Sequence, residues 1–362
     1  MSEEGGLKEY TRVPRRVITI KTPLMDGDFG NLVVGEDNVV SVVDYAASVQ
    51  ARNILISAEK VTPSPRLALA TTYARTQVNN LRISIGLPPV EEGRMAVSYL
   101  PQDKFNQAYR GVYGLSEDAP VYSSGFDITP GVGAVVSLID NRTDYLLGAT
   151  ALHELIHEYL EKFVGVYNIE ISSNTQSTLY VEGRRSGLYT KGRGAVLNEL
   201  PNYYYEGCYI EEVVKLYQQE FQDEIDARQR YLQEREFYED KHSFSARGSD
   251  NESKRIIVNK KFIHFDKDGS LFAGASSMFI YMQFADDISQ LCGDVNGEPF
   301  MKFMLRAKTD PHLLPEVRRV INSRIGEGFF EVLRNAKYAG ETDVVVELLV
   351  DIQKRLYAIE QV

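Results

Sequence analysis

The sequence lacks tryptophan and is poor in cysteine and histidine. Among its 362 residues are two cysteines, five histidines and no tryptophan. Two cysteines, each inside an apolar or aromatic run, are too few for a disulfide framework, which excludes a small disulfide-stabilised scaffold. We therefore expect Cys208 and Cys292 to be reduced, buried thiols. With so few histidines, any close spacing between them carries information.

Long apolar runs and a basic surface are also absent. No segment approaches the roughly 20 apolar residues that cross a bilayer, and the polar, acidic residues 1–6 do not resemble a signal peptide. Acidic residues outnumber basic ones by 51 to 40, for a net charge of −11. A surface of this sign disfavours phosphate binding. We expect a cytoplasmic protein without nucleic-acid or membrane partners.

The composition that remains is that of an ordinary globular protein. Hydrophobic residues make up 43% and charged residues 25% of the chain, enough for two or three domains with substantial cores. A proline-rich boundary near residues 87–92 separates an N-terminal α/β unit, 1–90, from a central domain, 91–240, and a mainly helical C-terminal lobe, 241–362. In the N-terminal unit the patterns predict strands at 17–20 and 38–43 and helices at 45–60 and 66–82.

Periodicity also predicts the elements of the other two segments. In the central domain these are strands at 95–100 and 134–139, a helix at about 144–164 and a helical segment at 197–240. In the C-terminal lobe they are a polar loop at 243–255, a strand-like segment at 256–265, and helices at 271–292, 298–308, 315–323, 327–337 and 342–360.

The most informative segment is His153-Glu154-Leu155-Ile156-His157. It lies within a predicted helix that carries a stripe of apolar residues at helical spacing. Histidines four residues apart project from the same side of a helix, one turn from each other, which suits two nitrogen ligands of one zinc ion. Glu154 would lie beside the metal, where it could take a proton from zinc-bound water. The alternative is a pair of ordinary histidines on an amphipathic helix.

A catalytic zinc site needs a third protein ligand and one open position. Downstream, Asn198-Glu199 follows a glycine-rich segment and opens an apolar, aromatic helix. Together with the HExxH segment, this arrangement resembles the gluzincin metallopeptidases, the thermolysin-like and M1-like families. The resemblance implies that Glu199 is the third ligand of Zn²⁺. Glu206, seven residues later on the same face, is the rival ligand, and both carboxylates could instead be solvated.

The gluzincin resemblance also implies a fold and an activity. The fold would be α+β, with a zincin-like catalytic domain, a small sheet over the HExxH helix, and a helical C-terminal lobe. Residues 134–139 would form the edge strand that pairs with an extended peptide or protein substrate. The activity would be peptide-bond hydrolysis, in which Glu154 assists the attack of zinc-activated water.

One position departs from the family pattern. M1-like members place a tyrosine three residues before the glycine of a later helix, where it stabilises the oxyanion. Leu271 stands at that position, before Gly274, and cannot donate a hydrogen bond. Tyr281 and His264 are candidate substitutes, as are the tyrosines at 203–205, His242 and His312.

This departure keeps two other functions open. One is a catalytically weak or inactive gluzincin-like scaffold that binds metal and a protein partner. The other is a zinc hydrolase that acts on a non-peptide amide or ester with the same ligands.

Overall fold

The protein is a mixed α+β structure dominated by helices, with small sheets. The computed structural model describes strand segments at 17–18, 32–34 and 40–42, followed by residues 61–112, 117–118, 121, 124–128, 133–138, 141–160, 195–235, 241–247, 252–271, 276–336 and 343–360. The α+β class expected from the sequence is confirmed. The helix predicted at 45–60 lies outside the described residues.

The described strands are β1 (Val17–Ile18), β2 (Leu32–Val34), β3 (Val40–Val42), β4 (Val97–Pro101), β5 (Gly125–Ile128), β6 (Gly133–Leu138), β7 (Lys241–Arg247), β8 (Ser253–Asn259), β9 (Asp294–Val295) and β10 (Glu298–Pro299). The described helices are α1 (Pro65–Ser84), α2 (Gln102–Val112), α3 (Asp144–Leu160), α4 (Ala195–Leu216), α5 (Gln222–Glu234), α6 (Ser276–Cys292), α7 (Phe300–Thr309), α8 (Leu314–Arg324), α9 (Phe329–Asn335) and α10 (Asp343–Glu360).

The sheet beside the HExxH helix has the strand order β4-β6-β5. Strand β6 runs parallel to β4 and antiparallel to β5. The prediction that residues 134–139 form an edge strand is therefore wrong, because β6 is the central strand. Its consecutive buried residues, Ala134, Val135 and Val136, explain the difference, since a strand covered on both faces reads as a continuous apolar run.

Helix α3, which carries the HExxH segment, is buried along nearly its whole length. It packs against α1, α4 and the strands β5 and β6. Gly148 allows this close packing, because an added Cβ would lie 2.4 Å from the Tyr209 hydroxyl of α4 and 2.7 Å from the Ala70 Cβ of α1. The Tyr209 hydroxyl also donates to the Ala70 carbonyl at 2.7 Å. Helix α1 thus belongs to the core around α3, although the sequence boundary placed it in the N-terminal unit.

The C-terminal half differs from the prediction at three places. The helical segment expected at 197–240 is divided into α4 and α5 by a turn. The polar loop expected at 243–255 is also wrong, because β7 and β8 form an antiparallel hairpin. The strand expected at 256–265 ends at Asn259, and residues 260–262 form a 3-10 turn.

Distant side chains stabilise the hairpin and explain why its local sequence did not reveal it. The Gln353 amide of α10 donates to the Ile257 carbonyl (2.6 Å), and its oxygen accepts from the Ile257 N–H (2.9 Å). Gln283 of α6 accepts from the Asn259 N–H at 2.6 Å. These side chains take the place of a further strand along β8.

Neither cysteine is in a disulfide: Cys292 is buried and Cys208 is half-buried. Within the part of the chain that the structure describes, no helix combines the length and apolar character needed to cross a membrane.

A polar network joins the first turns of α1, α3 and α5. Ser64 caps α1 by accepting from the Leu67 N–H at 3.0 Å, and its hydroxyl donates to Asp144 Oδ2 at 2.8 Å. The Asp144 N–H, at the start of α3, donates to Glu224 Oε1 at 3.2 Å. Burial and the nearby Asp144 carboxylate raise the pKa of Glu224 to about 7, although the Asp144 N–H opposes this shift.

We expect Glu224→Gln to change how folding stability depends on pH. Because the pKa of Glu224 is raised in the folded state, its contribution to stability is present below pH ~4.5 and is lost as the pH rises through about 7. Relative to Glu224→Gln, the wild type should lose up to about 3 kcal/mol of unfolding free energy between pH 4.5 and pH 8. Urea unfolding at both pH values measures this loss. The exposed Glu220→Gln variant is the control, and equal pH dependence of all three proteins would contradict the expectation.

Candidate metal centre

His153 and His157 lie on consecutive turns of α3 and face the same side. Both are buried, with 7% and 4% of their surface exposed. Their ring centroids are 5.0 Å apart, and their Nε2 atoms are 3.2 Å apart. The four-residue spacing therefore produces the convergence expected from helical geometry.

Glu199 reaches the same point from the first turns of α4. Its Oε2 lies 3.0 Å from His153 Nε2 and 3.2 Å from His157 Nε2. The side chain is buried, with 7% exposed. The structure thus brings together the three residues that the sequence assigned as metal ligands, and this group could hold a metal ion.

The three candidate ligand atoms, His153 Nε2, His157 Nε2 and Glu199 Oε2, form a triangle whose dimensions fit a small divalent cation. Its three sides measure 3.2, 3.0 and 3.2 Å. In a tetrahedral zinc site with bonds of about 2.0–2.1 Å, neighbouring ligand atoms are roughly 3.3 Å apart. Two nitrogens and one carboxylate oxygen are also donors that zinc accepts in catalytic sites, where a fourth position stays open. The residues therefore fit the ion that the sequence predicts.

The electrostatics of the buried group favour a positive charge. Burial lowers the pKa of His153, but hydrogen bonds with Glu199 and Glu206 more than offset this effect and raise it to about 10. Burial also raises the pKa of Glu199, yet the charges of His157 and His153 hold it well below its ordinary value. Two carboxylates thus surround an imidazole in a region from which water is largely excluded.

Glu206 binds the other nitrogen of His153 and is not part of the triangle. Its Oε2 lies 3.0 Å from His153 Nδ1, and only 2% of the residue is exposed. A carboxylate that accepts from Nδ1–H fixes the ring orientation and leaves Nε2 as the ligand atom. Between the two carboxylates that the sequence left open, the geometry therefore favours Glu199 as the ligand and gives Glu206 an orienting position.

We expect Glu206→Gln to weaken metal binding without abolishing it. The amide keeps the side-chain volume but removes the charge that orients the His153 ring, and loss of such partners costs roughly 10–100-fold in affinity. Competition with a chromophoric chelator measures the zinc affinity. Glu211→Gln, on the next turn of α4, is the matched control. Wild-type affinity in Glu206→Gln would show that Glu206 has no orienting role.

Glu154 lies on the side of α3 that faces β5. It is buried, with 8% exposed. Its Oε1 would lie only 2.6 Å from a Cβ added to Gly125. From α2, the Tyr109 ring packs edge-on against Phe126, and burial together with the negative charge of Glu154 raises the pKa of Tyr109 to about 12. Neither Gly125 nor Tyr109 carried a recognisable signal in the sequence.

Tyr281 lies behind His153, with the ring of Tyr203 between them. Its ring is buried and stacks on Tyr203 at 4.7 Å. Tyr203 in turn presents its ring to His153 at 4.7 Å in an edge-on arrangement. Tyr203 therefore lies closer to the triangle than Tyr281, which packs on the far side of the Tyr203 ring.

His264 occupies a packed position near the start of α3. Its Nε2–H donates to the Lys261 carbonyl at 2.9 Å, and its ring packs edge-on against Tyr145. Burial and the positive charge of Arg228 hold its pKa well below the ordinary value. These contacts favour a structural role for His264, and they do not bring it to the triangle. Gly274, which follows Leu271 in the position that departs from the gluzincin pattern, lies outside the described residues.

Comparison of this chain with protein families, with curated proteins and with solved structures found no match in any of the three. The functional assignment therefore depends on the geometry of the site itself.

Proposed function

We propose that the protein is a zinc-dependent metallopeptidase of the gluzincin type, with a zincin-like catalytic region. The observation that carries the proposal is the buried triangle of His153 Nε2, His157 Nε2 and Glu199 Oε2, with sides of 3.0–3.2 Å. Glu154, next to His153 in the sequence, supplies a buried carboxylate that is not part of the triangle.

The three metal ligands and Glu154 have different roles in the proposed reaction. A zinc ion held by the three ligands would polarise a carbonyl and lower the pKa of a water molecule to about 7. Glu206 holds the His153 ring in the orientation that directs Nε2 into the site. Glu154 takes the proton from the attacking water as a general base and passes it to the leaving amine as a general acid. The peptide C–N bond breaks, and a carboxylate and an amine are released.

The position of the aromatic residues supports a second candidate function. Tyr281 is covered by Tyr203, and His264 is engaged by Lys261 and Tyr145. An active peptidase also needs a donor for the developing oxyanion. A metal-binding scaffold that recognises a protein partner without cleaving it is therefore the alternative.

Cleavage of a broad peptide library, analysed by mass spectrometry, separates the candidates. We expect cleavage by the zinc-loaded protein, loss of cleavage after dialysis against 1,10-phenanthroline, and recovery when zinc is restored. Peptides left intact by a protein that contains one zinc per chain would refute the peptidase. A panel of ester and non-peptide amide substrates, run in parallel, distinguishes a different hydrolase from the inactive scaffold.

A further inference from the structure

Strand β5 contacts the HExxH helix at Gly125, directly opposite the catalytic carboxylate. A Cβ built at Gly125 would lie 2.6 Å from Glu154 Oε1, 2.8 Å from Glu154 Cγ and 2.8 Å from Thr150 Cγ2. Real Cβ atoms essentially never approach other atoms within 3.0 Å. The space that a side chain at residue 125 would occupy is therefore filled by Glu154 and by the residue one turn before it on α3.

The backbone at Gly125 does not explain why glycine is there. Unlike Gly86 or Gly269, it does not have a positive φ angle. It lies in regular antiparallel pairing with Val136 of β6. Alanine would fit this backbone, so the close approach of α3 is what excludes a side chain.

The two side chains that lie against Gly125 approach it with different atoms: Thr150 with its methyl group, Glu154 with its carboxylate and Cγ. Thr150 is buried, and its hydroxyl donates to the Leu146 carbonyl of its own helix at 3.2 Å. Its methyl group is thereby held against β5. The Glu154 carboxylate is the end of a longer side chain, so it is the group that an added Cβ would displace.

From these contacts we propose that Gly125 is a positioning residue for Glu154: the bare backbone of β5 forms the wall against which the carboxylate is held. This inference rests on the proposed function, because it concerns the placement of the general base. Ordinary van der Waals contact is 3.4–4 Å, so Glu154 Oε1 must retreat by about 1 Å from an alanine at residue 125. A displacement of this size costs on the order of 100-fold in rate.

The kinetic test uses Gly125→Ala in the zinc-loaded protein. We expect about 100-fold lower kcat, an unchanged KM and one zinc per chain, because the three ligands are untouched. Gly93→Ala is the matched control, since an added Cβ at Gly93 meets nothing within 4 Å. Glu154→Asp shortens the carboxylate and should lower kcat much less in the Gly125→Ala background than in wild type. Wild-type kcat in Gly125→Ala would overturn the proposal.

A double-mutant cycle that measures Tm tests the same contact without measuring activity. We expect Gly125→Ala to lower the Tm of the protein and Glu154→Ala to restore most of that loss, because it removes the crowded atoms. Thr150→Ser, which deletes the competing methyl group, should restore less. Full restoration by Thr150→Ser and none by Glu154→Ala would show that Gly125 serves only helix–strand packing. This result would overturn the inference even if the protein hydrolyses no peptide. The inference about Gly125 and the proposed function can therefore fail independently.

Discussion

Glu154→Gln is expected to abolish hydrolysis while leaving the metal bound. The amide has nearly the same shape as the carboxylate but cannot accept the proton of the attacking water. General-base catalysis contributes about 10²–10⁴-fold, so kcat should fall by on the order of 10³-fold. Glu154 is buried and is not one of the three residues of the triangle, so zinc content should remain at one ion per chain.

The control for this variant is Glu158→Gln, the same substitution one turn later on α3. Glu158 is half-buried and is not one of the three residues of the triangle. It should retain wild-type kcat and zinc content. If Glu154→Gln cleaves peptides as fast as wild type does, Glu154 is not the general base.

Removing both histidine ligands is expected to abolish zinc binding. In the double variant His153→Ala/His157→Ala, only Glu199 remains of the triangle, and one carboxylate cannot hold zinc tightly. Zinc measured by plasma mass spectrometry after gel filtration should fall from about one ion per chain to less than about 0.1. Because zinc stabilises the state that binds it, added zinc should raise the Tm of wild type but not of the double variant.

His312→Ala controls for nonspecific effects of losing an imidazole. His312 is exposed on a 3-10 turn and should be replaceable without loss of zinc. Glu199→Ala should lose most of the zinc and Glu206→Ala less, in keeping with their positions on opposite nitrogens of His153. A full metal complement in the histidine double variant would exclude the proposed site.

The sequence was most informative for residues whose chemical type and helical spacing indicate the same site. Spacing alone placed His153 and His157 on one face of α3, and the structure shows their Nε2 atoms 3.2 Å apart. Helical spacing alone could not decide between Glu199, which the gluzincin resemblance implied, and Glu206, because two residues seven apart on a helix share a face. Only the three-dimensional placement of α4 puts one carboxylate at Nε2 and the other at Nδ1 of His153.

Local sequence patterns were least informative where long-range contacts determine local structure. The hairpin of β7 and β8 depends on Gln283 and Gln353, side chains that are distant in sequence. The central position of β6 depends on which strands pair with it, which a local pattern does not encode. Gly125 showed no pattern at all, because its significance comes from the helix that packs against it.

X-ray absorption at the zinc edge of the purified protein most directly tests whether His153, His157 and Glu199 form a zinc site. We expect one zinc per chain with two imidazole nitrogens and a carboxylate oxygen among its ligands, at about 2.0–2.2 Å. The imidazole signal should disappear from His153→Ala/His157→Ala. A zinc ion with sulfur ligands at about 2.3 Å, or an unchanged spectrum in that variant, would contradict the assignment.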